Sequence, residues 1–294
     1  MTLNTPHHPL VATFSIVARD PRNGDLGVAT QSKFLAVGSI VPWAQAGAGA
    51  VATQANANFT YGPDGLALLA SGLSAEASLQ RLVDADPERA HRQLGIVDAR
   101  GGSATFTGDA CFDWAGGIAG PDFACQGNIL VGAETVQAMA DAFLNSDEPL
   151  AERLVAVLAA GQARGGDSRG QQSAALLVAR AGGGYGGNND RYIDLRVDDH
   201  PQPITELARI LRIHRLLFEK APVAECVPVT EQLATEVQRL LQQTGFYSGP
   251  LSGVLDDETR SALEAWAGVE NLEERLRSDD LIDPQVLEQL RAGR

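Results

Sequence analysis

Residues 11–20 read VATFSIVARD, a β-rich run in which Thr13 and Ser15 alternate with Phe14 and Ile16. Successive side chains of a strand point to opposite faces, so the two hydroxyls share one side and the large apolar groups the other. Residues 26–30 are a second β-rich run, and the turn formers DPRNGD between them make the pair a hairpin.

Working outward, 39–43 and 49–55 repeat the hairpin across AQAGAG. A helix follows with Pro63 in its first turn and Gly72 at its C-terminal end, and Ser74 caps a second helix running to about Asp84. Strands return at 92–98, 103–107 and about 117–131. Helical spacing then takes over in 134–145, with Val136, Met139, Ala140 and Phe143 in one stripe, and in 149–162, with Leu150, Leu154, Val157 and Leu158 in another. SAALLVAR and RYIDLRVD form a last hairpin around the glycine loop 182–187, before a helix from about Pro203 to Lys220.

Parallel winding alternates single strands with single helices, whereas here hairpins alternate with helix pairs. That order predicts an α+β protein of two antiparallel sheets face to face with helices on their outer faces. Both faces of each sheet are then covered, so Thr13 and Ser15 need buried hydrogen-bond partners. Pro222 and Pro228 interrupt the chain at a linker, 221–229, which divides a main domain, 1–220, from a small one, 230–294. In the small domain Thr230, Asp256 and Asp283 stand where N-caps are needed, and the expected architecture is a three-helix bundle.

Composition narrows the function. The formal charge is −14, from 37 acids and 23 bases, which repels phosphate backbones and anionic membranes; nucleic-acid and membrane partners are not expected. The first residues, MTLNTPHHPL, lack a basic segment leading into an apolar run, and the expected location is cytoplasmic. Three cysteines without CxxC spacing suggest reduced thiols rather than a disulfide framework.

The motifs TFSIVARDP, AVGSIVPWAQAGAGAVATQA, HRQLGIVD, QGNILVG, GGDSRGQQSAALLVAR and RYIDLRVDDHP occur in order over about residues 11–216. Together they resemble the domain-of-unknown-function family numbered 1028, whose known members are similar in fold to N-terminal-nucleophile hydrolases. The resemblance implies a four-layer αββα sandwich. VQRLLQQTGFYSGPLSGVLDDETRSALEAW resembles the small peptidoglycan-binding three-helix domain. Residues 230–294 hold thirteen acids and six bases, a balance that favours docking or dimerisation over an anionic wall polymer.

In the hydrolase superfamily a Thr, Ser or Cys begins the first strand and its freed α-amine serves as general base. The resemblance puts Thr13 in that position, with Ser15 on the same face. With Ala12 attached, Thr13 carries an amide instead of an amine, and the chain is expected to keep its full-length mass. A base must then come from elsewhere; Lys33, at the end of the second strand, and the loop around Asp167 are the candidates. Gln54, Asn56 and Asn58 alternate in strand register and are expected to present their amides to one side, with Gln54 and Asn128 as donors to a polar substrate. Arg164, Asp167 and Arg169 crowd a glycine loop, where guanidiniums suit a carboxylate or phosphate and an ion-pair network holding the loop is the alternative.

Asp198, Asp199 and His200 are consecutive, so they cannot all face one ion, and neither metal nor cofactor is expected. The expected function is hydrolysis of amide-like C–N bonds in a small polar metabolite by a homo-oligomer. The competing class is a non-catalytic ligand-binding or scaffold protein whose C-terminal bundle mediates assembly.

Overall fold

The computed structural model describes residues 13–293. Val11 and Ala12, expected at the start of the first strand, lie outside the described residues.

The elements follow the hairpin and helix-pair order. β1 (Thr13–Arg19), β2 (Leu26–Ser32), β3 (Pro42–Gln45) and β4 (Gly49–Ala55) precede α1 (Tyr61–Ala70) and α2 (Ala75–Ala85). Next come β5 (Arg92–Asp98), β6 (Ser103–Thr107), β7 (Gly116–Gly120) and β8 (Phe123–Gly127), then α3 (Ala133–Leu144) and α4 (Leu150–Ala163). β9 (Ser173–Ala179), β10 (Arg191–Val197) and α5 (Pro203–Phe218) follow. One sheet has the order β10-β9-β2-β1-β8-β7 and the other β3-β4-β5-β6, with every pairing antiparallel.

Three separate apolar clusters account for the layering. Phe14, Ile16 and Phe123 of the larger sheet pack against Met139, Leu154 and Leu158 of α3 and α4. Val51, Leu94 and Ile96 of the smaller sheet pack against Leu69, Leu79 and Leu82 of α1 and α2. Val17, Val28, Ala50, Ala52, Val97 and Ala124 fill the space between the sheets. The four-layer αββα sandwich is therefore the order in which three cores are stacked, and the middle one is built of small residues because two sheet faces must approach closely. Local chemistry supports the same elements. Ser74 Oγ accepts from the Ala77 N–H at 3.2 Å, and Gly72 takes φ = +96° just beyond α1, a conformation open to glycine.

The chain packs as two units, the first running through Leu211 and the second starting at Arg212, so the division falls inside α5. The second unit holds α6 (Glu231–Gln243), α7 (Asp257–Glu270) and α8 (Pro284–Ala292) around Trp266, Val237, Leu263 and Leu287. Each helix starts at its expected cap: Thr230 accepts from Leu233 N–H, Asp256 from Thr259 N–H and Asp283 from Gln285 N–H. The end of the proline segment is stitched to the bundle, since β11 (Val227–Pro228) pairs with β12 (Leu281–Ile282).

Candidate functional site

The hydroxyl face of β1 looks into the middle layer, where it meets amides from both sheets. Ser15 Oγ donates to Gln54 Oε1 at 2.6 Å and accepts from Gln126 Nε2 at 2.7 Å. Gln54 Nε2 donates to Gln93 Oε1 at 2.7 Å and toward the Thr13 carbonyl at 3.3 Å. Asn128 Nδ2 donates to the same Gln93 oxygen at 2.9 Å, and the Asn128 N–H reaches the Thr13 carbonyl at 3.0 Å. Gln93 Nε2 closes the network on the carbonyl of Gly127 at 2.7 Å and the hydroxyl of Thr107 at 2.9 Å. Thr13, Ser15, Gln54, Gln93 and Gln126 are wholly buried and Asn128 is nearly so.

Sequence reading brings Thr13, Ser15, Gln54 and Asn128 to this cluster but misses Gln93 and Gln126. The available signal is their place in strands buried along their whole length, RQLGIVD and FACQG, because a glutamine with both sheet faces covered must find a polar partner. Gly95 makes room for Gln126: a Cβ there would lie 2.1 Å from Gln126 Oε1. Gln126 Oε1 is also a buried side-chain oxygen of the cluster without a partner among the described residues.

The predicted alignment of Gln54, Asn56 and Asn58 is corrected by the structure. β4 ends at Ala55, whose φ of +65° turns the chain out of strand register. Asn56 then spends its main chain on the His91 carbonyl and on Arg92 Nη1, and Asn58 Nδ2 donates to Asp86 at 3.0 Å. Only Gln54 turns inward.

Lys33 and the glycine loop form a second group at the same end of the larger sheet, where Thr13 pairs with Ser32. Lys33 is exposed and its Nζ donates to the Gln171 carbonyl at 3.3 Å. Asp167 is buried and fully engaged: it accepts from Lys33 N–H at 3.0 Å, from Arg169 N–H at 2.9 Å and from the Arg169 guanidinium at 2.9 Å. This carboxylate holds the loop together, and neither it nor Lys33 is hydrogen-bonded to the hydroxyl of Ser15. His200 Nδ1 accepts from Gln202 N–H at 3.0 Å at the start of α5, while Asp199 accepts from Gln172. Among the described residues no three His, Cys, Asp or Glu side chains converge on a point that could hold a metal ion. The three cysteines are free thiols, and burial pushes the Cys125 thiol far up from its ordinary pKa.

A buried array of amides and hydroxyls around Thr13 and Ser15, set between the sheets of an αββα sandwich, defines the class of architecture. The family follows from comparison. The chain belongs to the family described as "Family of unknown function (DUF1028)", whose model matches residues 13–207. Residues 217–290 match the model described as "Putative peptidoglycan binding domain". A Silicibacter pomeroyi protein of known crystal structure, also described as DUF1028, is 33% identical, with a TM-score of 0.62 over 69% of this chain and 89% of that one. No curated protein matches the chain. No helix among the described residues is long and apolar enough to cross a membrane.

Proposed function

We propose that the first unit hydrolyses amide-like C–N bonds, with Thr13 as nucleophile once the bond before it has been cut, a reading that replaces the full-length chain expected from the sequence because Ser15 has only amides as side-chain partners. The observation that carries this reading is the chemistry of the cluster itself. Every side chain hydrogen-bonded to Ser15 is an amide, so this hydroxyl of β1 has no carboxylate, imidazole or lysine among its partners to take a proton. A free α-amine on Thr13 supplies the missing base, and the family match begins at that residue. Thr13 Oγ1 then attacks the carbonyl carbon while its proton passes to the α-amine. Collapse of the tetrahedral adduct breaks the C–N bond, the leaving amine takes that proton, and water hydrolyses the resulting ester. Asn128 supports an oxyanion site, because one Nδ2 hydrogen is engaged by Gln93 and the other has no partner among the described residues.

Intact mass and N-terminal sequence of the purified protein, paired with a turnover screen of small amides, ureido compounds and N-acyl amino acids, test the reading. Cleavage before Thr13 with turnover that disappears in Thr13→Ala is the expected result. An uncut chain that binds members of the panel without product favours the second reading, a ligand-binding or scaffold protein, for which the mutual saturation of Ser15, Gln54 and Gln93 speaks.

For the second unit we propose a binding role, in line with its family match. A cavity of about 150 Å³ in it is lined by Leu263, Leu281 and Val286, with Arg260, Glu264 and Arg277 also in its wall. Co-sedimentation with purified peptidoglycan tests wall binding; loss of self-association on deleting the unit is the outcome that favours assembly instead.

A further inference from the structure

Each sheet of the first unit ends in strands paired on one side only among the described residues, β3 and β6 in one sheet and β7 and β10 in the other. Such an edge leaves N–H and C=O groups open to another chain, and proteins usually blunt it by shortness, by proline or by charges that repel a second copy. β3 is four residues long and starts at Pro42, and β6 and β7 are five uncharged residues each. β10 differs. It has seven residues, and Arg191, Asp194 and Arg196 give it charges of both signs.

The charges of β10 match their own reverse. The register of β10 against β9 shifts between Arg191 and Ile193 and is regular from Ile193 to Val197. Residues directly opposite in an antiparallel pair lie on one face, so when a strand pairs with a copy of itself the two-fold axis relates some residue to its own counterpart. An axis at Asp194 sets carboxylate against carboxylate, and an axis at Arg196 sets guanidinium against guanidinium. An axis at Ile193 or Val197 carries the pairing into the irregular stretch or past the end of the strand. An axis at Leu195 remains. It sets Leu195 against Leu195, Ile193 against Val197 and Asp194 against Arg196, the last two pairs each occurring twice. Opposite charges directly across a ladder stabilise it and like charges destabilise it. The apolar positions agree, since Ile193 and Val197 are buried in the core shared with α5, and Leu195 and Ile210 are only partly buried against that core.

We infer that β10 is the joint between two copies of this chain, paired antiparallel about Leu195 so that their six-stranded sheets run into one. A second copy is the occupant because a two-fold joint needs a strand complementary to its own reverse, whereas a different partner places no such demand on β10. Within one copy Arg196 Nε lies 2.9 Å from Asp194 Oδ1, and Arg191 Nη1 lies 3.1 Å from Asp194 Oδ2. Carboxylate and guanidinium therefore stand side by side along the edge, and a second copy presents the same pair in the opposite order. Each Leu195 also gains an apolar neighbour, which favours association. The inference does not rest on the hydrolase reading, and it puts self-association in the first unit instead of the bundle.

Charge reversal tests the joint and its register together. Asp194→Arg sets cation against cation twice across the two-fold axis, and Arg196→Asp sets carboxylate against carboxylate twice. An equimolar mixture of these two variants restores opposite charges at both places, and the double variant D194R/R196D does so within one chain. Urea midpoints verify that each protein is folded, as expected for substitutions at an edge. Sedimentation velocity of the full chain over a range of concentrations then reads its mass. We expect the wild type to dimerise, each single variant to dissociate at least tenfold more readily, and both the mixture and the double variant to recover the wild-type association. A wild type that is monomeric throughout overturns the inference. So does a dimer that neither single variant weakens, which places the contact elsewhere on the chain. Weakening by both single variants that neither the mixture nor the double variant repairs shows that Asp194 and Arg196 do not face each other across the axis, and it overturns the joint as well.

Discussion

Ser15 Oγ and Gln54 Oε1, 39 residues apart in the chain, meet at 2.6 Å in the layer between the two sheets. This bond joins the first strand of one sheet to the second strand of the other, and Gln126 completes the hydroxyl's valence from a neighbouring strand. Ser15 is thus a cross-brace of the middle layer.

Ser15→Ala should therefore act on stability. It strips a partner from Gln54 Oε1 and the better of two acceptors from Gln126 Nε2, whose other contact is the Ser15 carbonyl at 3.3 Å. Leaving a buried polar group unmade costs about 1–3 kcal/mol. Urea denaturation should show that loss with any turnover retained; a fully stable variant without turnover would move the nucleophile to Ser15.

Gly95→Ala should be at least as damaging, because its Cβ would lie within 2.1 Å of Gln126 Oε1 and 2.4 Å of Gln126 Cδ. Overpacking a filled interior costs about 1–3 kcal/mol. Shortening the obstructing side chain in G95A/Q126A should recover part of the loss in the same measurement, and strict additivity of the two substitutions would show that the clash is not the cause.

Asp86 predicts an acid-sensitive contribution. Burial works to raise its pKa, but hydrogen bonds from Arg92, Asn58, the Glu88 N–H and Tyr61 together outweigh it and bring the carboxyl down to about 2. A folded pKa below the unfolded one means stability that is present above the ordinary carboxylate range and lost as pH falls from about 4 toward 2. The wild type should lose melting temperature across that window more steeply than Asp86→Asn, which should be less stable at neutral pH. Parallel curves for the two proteins would remove Asp86 as the source.

In the second unit, Arg275 and Asp283 are both buried and bound through two contacts of 2.9 Å. Asp283 also caps α8 through the Gln285 N–H at 2.9 Å, and Arg275 closes the end of α5 on the Arg215 carbonyl at 2.7 Å and on that of Leu216. Removing one member leaves an uncompensated buried charge, at a cost of about 3–5 kcal/mol. Asp283→Ala should unfold the bundle early, read by the fluorescence of buried Trp266, while the main transition of the sandwich stays in place.

The domain division makes a fifth prediction. The buried clusters of the first unit contain no residue beyond Leu211. A chain shortened by residues 222–294 should melt cooperatively, with fraying confined to the last turns of α5, where Arg275 no longer caps the carbonyls. Broad, non-cooperative melting would make the second unit part of the same folding core.

What the amino-acid order determined by itself was local and periodic. Alternation in TFSIVARD, the Ser74, Thr230, Asp256 and Asp283 caps, and the stripes of α3 and α4 are short-range properties, each set within a few residues by backbone geometry and hydrogen bonding. Their order was enough to indicate antiparallel sheets under helix pairs. Part of the site was legible as well, because Thr13, Ser15 and Gln54 are polar residues in strands that had to be buried on both faces. The rest depended on where strands far apart in the chain come to lie. Gln93 and Gln126 join the cluster through side-chain bonds spanning 39 and 111 residues, and Lys33 is drawn away to a carbonyl 138 residues distant. Ala55 leaves strand register at a left-handed turn that no local preference of alanine favours. Such contacts are decided by the joint packing of two sheets, since a buried donor takes whichever acceptor the tertiary fold brings within about 3 Å, and a linear sequence does not list those distances.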